Sequence, residues 1–184
     1  MNICVFCGSA TGVNPIYRKA AVDLGKALAQ HSITLIYGGG NVGLMGIVAD
    51  SVMQHGGKVI GVIPDFLLKR EVGHRGITEL VIVDSMHERK KKMADLADGF
   101  IALPGGWGTL EELAEVLTWR QLQLINNPVA ILNVNNFYDA LLSQMRHMTE
   151  EGFLQSRWLD IVKVETTAEK LISCFVDRDT HASL

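Results

Sequence analysis

Two short apolar runs of this chain end in glycine-rich turns that lead straight into segments of helical period. Gly38-Gly39-Gly40-Asn41-Val42-Gly43 follows the run at 33–37, and Pro104-Gly105-Gly106-Trp107-Gly108-Thr109 follows the run at 100–103. Apolar runs of this kind alternate with helical segments along the chain, the rhythm of βαβ units. Strands that read as unbroken apolar stretches are buried on both faces, so the expectation is a parallel sheet covered by helices on each side, a doubly wound α/β fold. Strands are expected at 2–7, 33–37, 59–63, 80–83, 100–103, 129–132 and 161–164. Helices are expected from Pro15 onward and at 44–55, 86–97, 110–124, 137–150 and 168–176.

A length of 184 residues suits one domain spanning the whole chain. Seventeen Lys and Arg against twenty Asp and Glu give a formal charge of −3, so no global basic field draws in nucleic acid. Any nucleotide must be held locally. No apolar run reaches the roughly 18 residues that a membrane span needs. The opening Met1-Asn2-Ile3-Cys4-Val5-Phe6 lacks a basic leader region, so a cytoplasmic protein is expected. Cys4 and Cys7, three apart on a strand, point to opposite faces and read as buried thiols rather than as half of a zinc site. The six histidines form no i, i+4 pair or cluster, so no metal is expected.

In an open parallel sheet, ligands bind beyond the carboxyl ends of the strands, which places both glycine turns and Gly8-Ser9 on one edge. Backbone N–H groups and a helix N-terminus there suit a phosphate. Gly38-x-Gly40-x-x-Gly43 matches the dinucleotide fingerprint, but the first acid after the next strand is Asp65, behind Pro64, and a nicotinamide reading leaves the second turn unused. Neither turn continues into Gly-Lys-Ser or Gly-Lys-Thr, which argues against ATP hydrolysis. The bland alternative makes each turn a tight strand-to-helix connection that needs positive φ.

Pro104-Gly105-Gly106-Trp107-Gly108-Thr109-Leu110-Glu111-Glu112 resembles the PGGxGTxxE signature of the LONELY GUY family of cytokinin-activating enzymes. Ser85-Met86-His87-Glu88-Arg89-Lys90 resembles that family's second motif, and residues 38–46 its first glycine loop. The resemblance runs to about Asn133 and carries no motif beyond. It implies a Rossmann-like homodimer, without cofactor or metal, that hydrolyses the N-glycosidic bond of AMP or an N6-modified nucleoside 5'-monophosphate. It further implies that the turn of Gly105, Gly106, Trp107, Gly108 and Thr109 holds the phosphate, with Leu110 and Glu111 beside it and Ser9, Gly39 and Gly40 as walls. Glu71 and Thr118 match substrate-pocket positions, Met86 packs on the base, and Arg89 and Glu112 match the catalytic pair.

Cleaving a ribosyl C–N bond develops positive charge on the sugar, which a carboxylate can stabilise while activating water. A phosphate nearby repels that carboxylate, and a fixed cation offsets the repulsion. Arg89 stands out from the run Arg89-Lys90-Lys91-Lys92 because its planar fork makes two-point contacts; Lys90 is the next candidate for substrate contact. Glu111 is the rival carboxylate, about 100° round the helix. Thr109-x-x-Glu112 also reads as a capping box, a purely structural use of Glu112.

Leu110, Leu113, Leu117 and Leu124 form a core-like stripe, while Trp119 and Leu122 fall off it and suit a dimer surface. A non-catalytic nucleotide or molybdenum-cofactor carrier is the alternative function, since a fold does not fix an activity. Lysine decarboxylation, a label attached to sequences of this kind, needs a Schiff-base lysine and an acid for pyridoxal phosphate, and no such pair is marked.

Overall fold

The computed structural model describes residues 1–68 and 73–181. Strands β1 (Asn2–Phe6), β2 (Thr34–Tyr37), β3 (Val59–Pro64), β4 (Glu79–Val83), β5 (Gly99–Ala102), β6 (Val129–Leu132) and β7 (Val162–Glu165) form one sheet in the order β4-β3-β2-β1-β5-β6-β7. Every adjacent pair is parallel, with Cys4 opposite both Ile36 and Phe100 in the middle. The helices are α1 (Pro15–Gln30), α2 (Gly43–Gln54), α3 (Asp65–Leu68), α4 (Met86–Leu96), α5 (Trp107–Gln121), α6 (Asp139–Glu150) and α7 (Ala168–His181). The doubly wound Rossmann-like expectation holds.

Two cores lie on the two faces. One packs Ala21, Leu24 and Leu28 of α1, Val48 and Val52 of α2, and Leu171, Ile172 and Phe175 of α7 onto Ile3, Val5, Leu35 and Ile101. The other packs Met93 of α4, Leu113 and Val116 of α5, and Tyr138 onto Cys4, Phe6, Ile36 and Phe100. Cys7 belongs to the first core and Cys4 to the second, as alternation along a strand requires. Each fully buried Leu, Ile or Phe contributes about 1.5–3 kcal/mol. The three large residues of α7 are the ones that anchor that helix to the sheet.

The helix boundaries hold three corrections. α5 begins at Trp107, not Leu110, with Gly106 at its N-cap and no side-chain capping bond. Thr109 is thus inside the first turn and Glu112 further along the helix, so the pair is not a capping box. A side-chain cap is found instead at α4: Ser85 Oγ accepts from the Glu88 amide at 3.1 Å, and Glu88 Oε2 reaches back to the Asp84 amide, one residue before the cap, at 2.9 Å. α5 also ends at Gln121, which leaves Leu124 outside the helix and 69% exposed. The buried stripe is Thr109, Leu113 and Val116, and Trp119 packs beside it on the second core. The expected helix at 137–150 starts later, at Asp139, after a 3-10 turn at Val134–Asn136.

Candidate active site

Strand order positions the site. β1 has β2 on one side and β5 on the other, so the chain leaves these two strands in opposite directions and a crevice opens beyond their carboxyl ends. The turns that follow them are tied together: the Gly8 amide donates to the Pro104 carbonyl at 3.1 Å. A Cβ on Gly105 would lie 2.1 Å from Thr109 Oγ1 and 2.9 Å from the Gly8 nitrogen, so only glycine allows this approach. The Leu44 amide donates to the Gly8 carbonyl at 2.9 Å, which brings the start of α2 to the same place.

The crevice holds a cavity of about 170 Å³ lined by Cys7, Gly8, Ser9, Met45, Arg89, Gly106, Trp107, Gly108, Thr109 and Glu112. The first amides of a helix have no partner inside it. Here those of Trp107, Gly108 and Thr109 have no capping side chain either. No atom stands within 4 Å of where a Cβ of Gly106 or Gly108 would be, so the backbone is bare toward open space. None of the glycines in this turn has positive φ, unlike Gly39 and Gly43 in the first glycine loop. Backbone conformation therefore explains glycine in the first loop, whereas in the second the reasons are the close approach at Gly105 and the space around Gly106 and Gly108. Bare amides at a helix N-terminus are an anion site.

Arg89 is 6% exposed and enters from α4. Its Nε donates to the Val62 carbonyl at 3.1 Å and Nη2 to the Gly38 carbonyl at 2.9 Å, while Nη1 lies 3.7 Å from the Met86 sulfur. The guanidinium fork is therefore held by the ends of β2 and β3 and makes no ion pair with Glu112. Within the protein the fork thus holds two carbonyls rather than a carboxylate. What it brings to the cavity is a fixed positive charge.

Glu112 lies on the buried side of α5 and faces that charge. Burial pushes its carboxyl up to about 7, opposed by Arg89, assisted by Glu111, and adjusted in smaller measure by Lys90 and Glu115. The Cys7 thiol in the same wall is pushed well up by burial and by Glu112, so it stays neutral. A carboxyl balanced between its two states near neutrality, beside a permanent cation and an anion-binding turn, can exchange a proton with water and stabilise a cationic sugar.

The remaining expected residues divide. Ser9 and Trp107 line the cavity, Trp107 at 89% exposure. Met86 is half-exposed at the start of α4. Lys90 turns away: its ammonium is held by Glu111 at 2.6 Å and Glu115 at 3.1 Å, bonds that tie α4 to α5 and occupy Glu111 as well. Gly39 and Gly40 back onto the segment after α3, through the His74 amide on the Gly39 carbonyl at 2.9 Å and a bridge between Gly40 and Gly73. Leu110 and Thr118 face a different hollow, an apolar groove of about 380 Å³ between α5 and α6, and the Thr118 hydroxyl donates to Ala114. Glu71 lies outside the described residues.

Cys7 and Met45 are walls that the sequence reading did not assign; their signal was position, Cys7 directly before Gly8-Ser9 and Met45 just after Gly43. His74, without a role in that reading, is buried and reaches Asp50 Oδ1 through Nε2 at 2.9 Å. Its Nδ1 accepts from the Gly76 amide at 3.2 Å, which assigns the ring proton to Nε2. The pair fastens His74 onto α2.

Fold and crevice together define a Rossmann-like protein with the bare amides of a helix N-terminus and a half-buried carboxyl of raised pKa in one cavity. The family model described as possible lysine decarboxylase matches residues 45–175. The cytokinin riboside 5'-monophosphate phosphoribohydrolase LOG of Oryza sativa subsp. japonica is 51% identical over 170 residues, covering 92% of this chain and 70% of that protein. LOG3 of Arabidopsis thaliana, with the same activity in its name, is 48% identical over 170 residues, covering 92% of this chain and 79% of that protein. This chain belongs to their family, the LONELY GUY family. In fold it is also similar to the molybdenum cofactor binding protein of Rippkaea orientalis, at TM-score 0.71 and 23% identity over 96% of both chains. The Moco carrier protein of Chlamydomonas reinhardtii superposes equally well, at TM-score 0.71 and 20% identity over 100% of this chain and 98% of that one.

Proposed function

We propose that this chain hydrolyses the N-glycosidic bond of AMP or of N6-modified, cytokinin-type nucleoside 5'-monophosphates, with Arg89 and Glu112 at the reacting bond. The carrying observation is Glu112, a half-buried carboxyl pushed up to about 7 in the same cavity as the bare amides of the signature turn. The phosphate sits on the amides of Trp107, Gly108 and Thr109. The sugar then lies over Glu112. As the C1'–N bond breaks, its electron pair goes to the base. Glu112 takes a proton from water, the hydroxide bonds to C1', and the proton passes to the departing base. The products are free base and ribose 5-phosphate. Arg89 keeps Glu112 ionisable beside the phosphate.

The same surroundings disfavour amine chemistry. Lys90 of α4 has its ammonium stabilised by Glu111 and its pKa raised, whereas a Schiff-base lysine needs the reverse. The test is to incubate purified protein with AMP and with isopentenyladenosine monophosphate and to follow free base by chromatography, with Glu112→Gln alongside. Base release that is lost in the variant supports the reading. Nucleotide binding without release from either substrate overturns it in favour of a carrier.

The proposed assembly is a homodimer, and the proposed compartment is the cytoplasm. The α5–α6 groove is lined by Leu117, Leu141, Met145 and Trp158, and exposed Leu122 and Leu124 follow just beyond the end of α5. A second copy seated there covers this apolar surface. Sedimentation of wild type against Leu117→Glu tests it, with a shift to monomer expected. The compartment reading is supported by Cys4 and Cys7, which are free buried thiols. Fractionation of cells tests it. No helix of the described residues is long and apolar enough to cross a membrane.

A further inference from the structure

The turn after β6 belongs to no recognised motif, yet it is closely specified. Asn135 and Asn136 hold positive φ of 51° and 58°, a region that Asn tolerates better than most side chains. The buried Asn133 side chain uses both ends: Oδ1 accepts from the Tyr138 amide at 2.8 Å and Nδ2 donates to Asp139 Oδ1 at 2.7 Å. The turn so fixed delivers Tyr138, 1% exposed, under the end of β5. There its hydroxyl donates to the Leu103 carbonyl at 2.5 Å.

Leu103 stands just past the last paired residues of β5 and β6, Ala102 and Ile131, where no strand partner serves that carbonyl. The next residue, Pro104, opens the signature turn, and its own carbonyl is taken by the Gly8 amide. Two successive carbonyls at the root of the turn are therefore fastened from opposite sides. A peptide unit is planar, so holding the Leu103 oxygen fixes the plane of the Leu103–Pro104 bond and the direction in which the chain leaves it.

We infer that Tyr138 is a positioning residue for the phosphate-binding turn: its hydroxyl, through the Leu103 carbonyl, sets the aim of the amides from Trp107 to Thr109. This inference rests on the proposed role of that turn. Tyr138→Phe removes only the donor, because the neighbouring Phe137 ring, edge-on at 5.0 Å, still packs the aromatic body. The loss of one hydrogen bond predicts about a tenfold weaker hold on ribose 5-phosphate, with adenine binding unchanged.

The experiment measures dissociation constants for ribose 5-phosphate and adenine, kcat and KM for AMP, and melting temperature, in wild type, Tyr138→Phe and Ile172→Val. Ile172 is buried in the opposite core and lowers stability without touching the turn. A selective loss of ribose 5-phosphate affinity in Tyr138→Phe, absent from Ile172→Val, supports the inference. Unchanged affinity in Tyr138→Phe, or an equal loss in both variants, overturns it. If Tyr138→Phe does not fold, Asp139→Ala, which releases Asn133, is expected to show the same selective loss, and its absence overturns the inference. Wild type that binds ribose 5-phosphate but cleaves no nucleotide sinks the hydrolase reading alone, since the binding comparison still judges Tyr138. Wild type that binds no ribose 5-phosphate overturns the inference, there being no phosphate turn to aim.

Discussion

Gly38 is at once the partner of Arg89 and the opening through which it passes. Its carbonyl accepts from Arg89 Nη2 at 2.9 Å, and a Cβ on it would lie 1.9 Å from that same nitrogen. Glycine at this position is thus dictated by a side chain that arrives from a distant helix, across the tips of β2 and β3.

Gly38→Ala should therefore reproduce the loss of Arg89. Eviction of the guanidinium leaves the Val62 and Gly38 carbonyls without their charged donor, at a cost of about 1–3 kcal/mol. Activity should fall by about 10²-fold or more, because displacement of a positioned group by about 1 Å has that consequence. Thermal melting and steady-state rates on Gly38→Ala and Arg89→Ala, measured together, check that the two variants agree.

The pH profile follows from Glu112, whose carboxyl is pushed from 4.5 up to about 7. In the proposed reaction the ionised form acts, so kcat/KM should drop on the acid side of about pH 7 and reach a plateau above it. Stability should run the other way. Between pH 4.5 and 7 the folded protein holds a proton that the unfolded chain has released, so stability falls as pH rises through that window and is level above it. The fall is at most about 3 kcal/mol. Glu112→Gln should abolish turnover by about 10²–10⁴-fold and flatten this part of the stability curve, which makes the variant the more stable protein at pH 8. Denaturant melts at pH 5 and pH 8 test the sign.

Arg89 lowers the carboxyl that burial raises. Arg89→Met should consequently move the acid limb of the rate profile to higher pH. Arg89→Lys retains a charge but cannot serve both carbonyls from one ammonium. It should leave the limb nearer its original position while still losing rate. Profiles of the two variants separate charge from geometry.

The three glycines of the signature turn should respond differently to alanine. Gly105→Ala collides with Thr109 and Gly8 and should lower the melting temperature along with activity. Gly106→Ala meets nothing within 4 Å and should melt like wild type, yet raise KM for AMP by about tenfold because its methyl occupies the space left for the ligand. Equal KM values for Gly106→Ala and wild type would place the phosphate elsewhere.

Local pattern was enough to read the parallel sheet and both glycine turns, because a strand buried on two faces and a strand-to-helix break each leave a mark within a few residues. What escaped depends on residues far apart in sequence. Arg89 was legible as the exceptional member of a basic run, but its hold on the Val62 and Gly38 carbonyls exists only once β2 and β3 lie side by side. Lys90 read as a contact for substrate until α5 brought Glu111 and Glu115 against it. The start of α5 was misplaced by three residues because Gly106 caps it without a side chain, and a capping signal was sought where Thr109 supplies one in appearance only.

That uncapped start has a thermal consequence. With the phosphate placed as proposed, it would do for α5 what Ser85 does for α4, and the bound anion would complete a helix that the polypeptide leaves unfinished. Heat resistance should then report occupancy, rising by about 2.7 kcal/mol at a hundredfold excess of ligand over its dissociation constant. Ribose 5-phosphate, which has the phosphate and lacks the base, should account for much of that rise, making the product a folding ligand as well as a thing released.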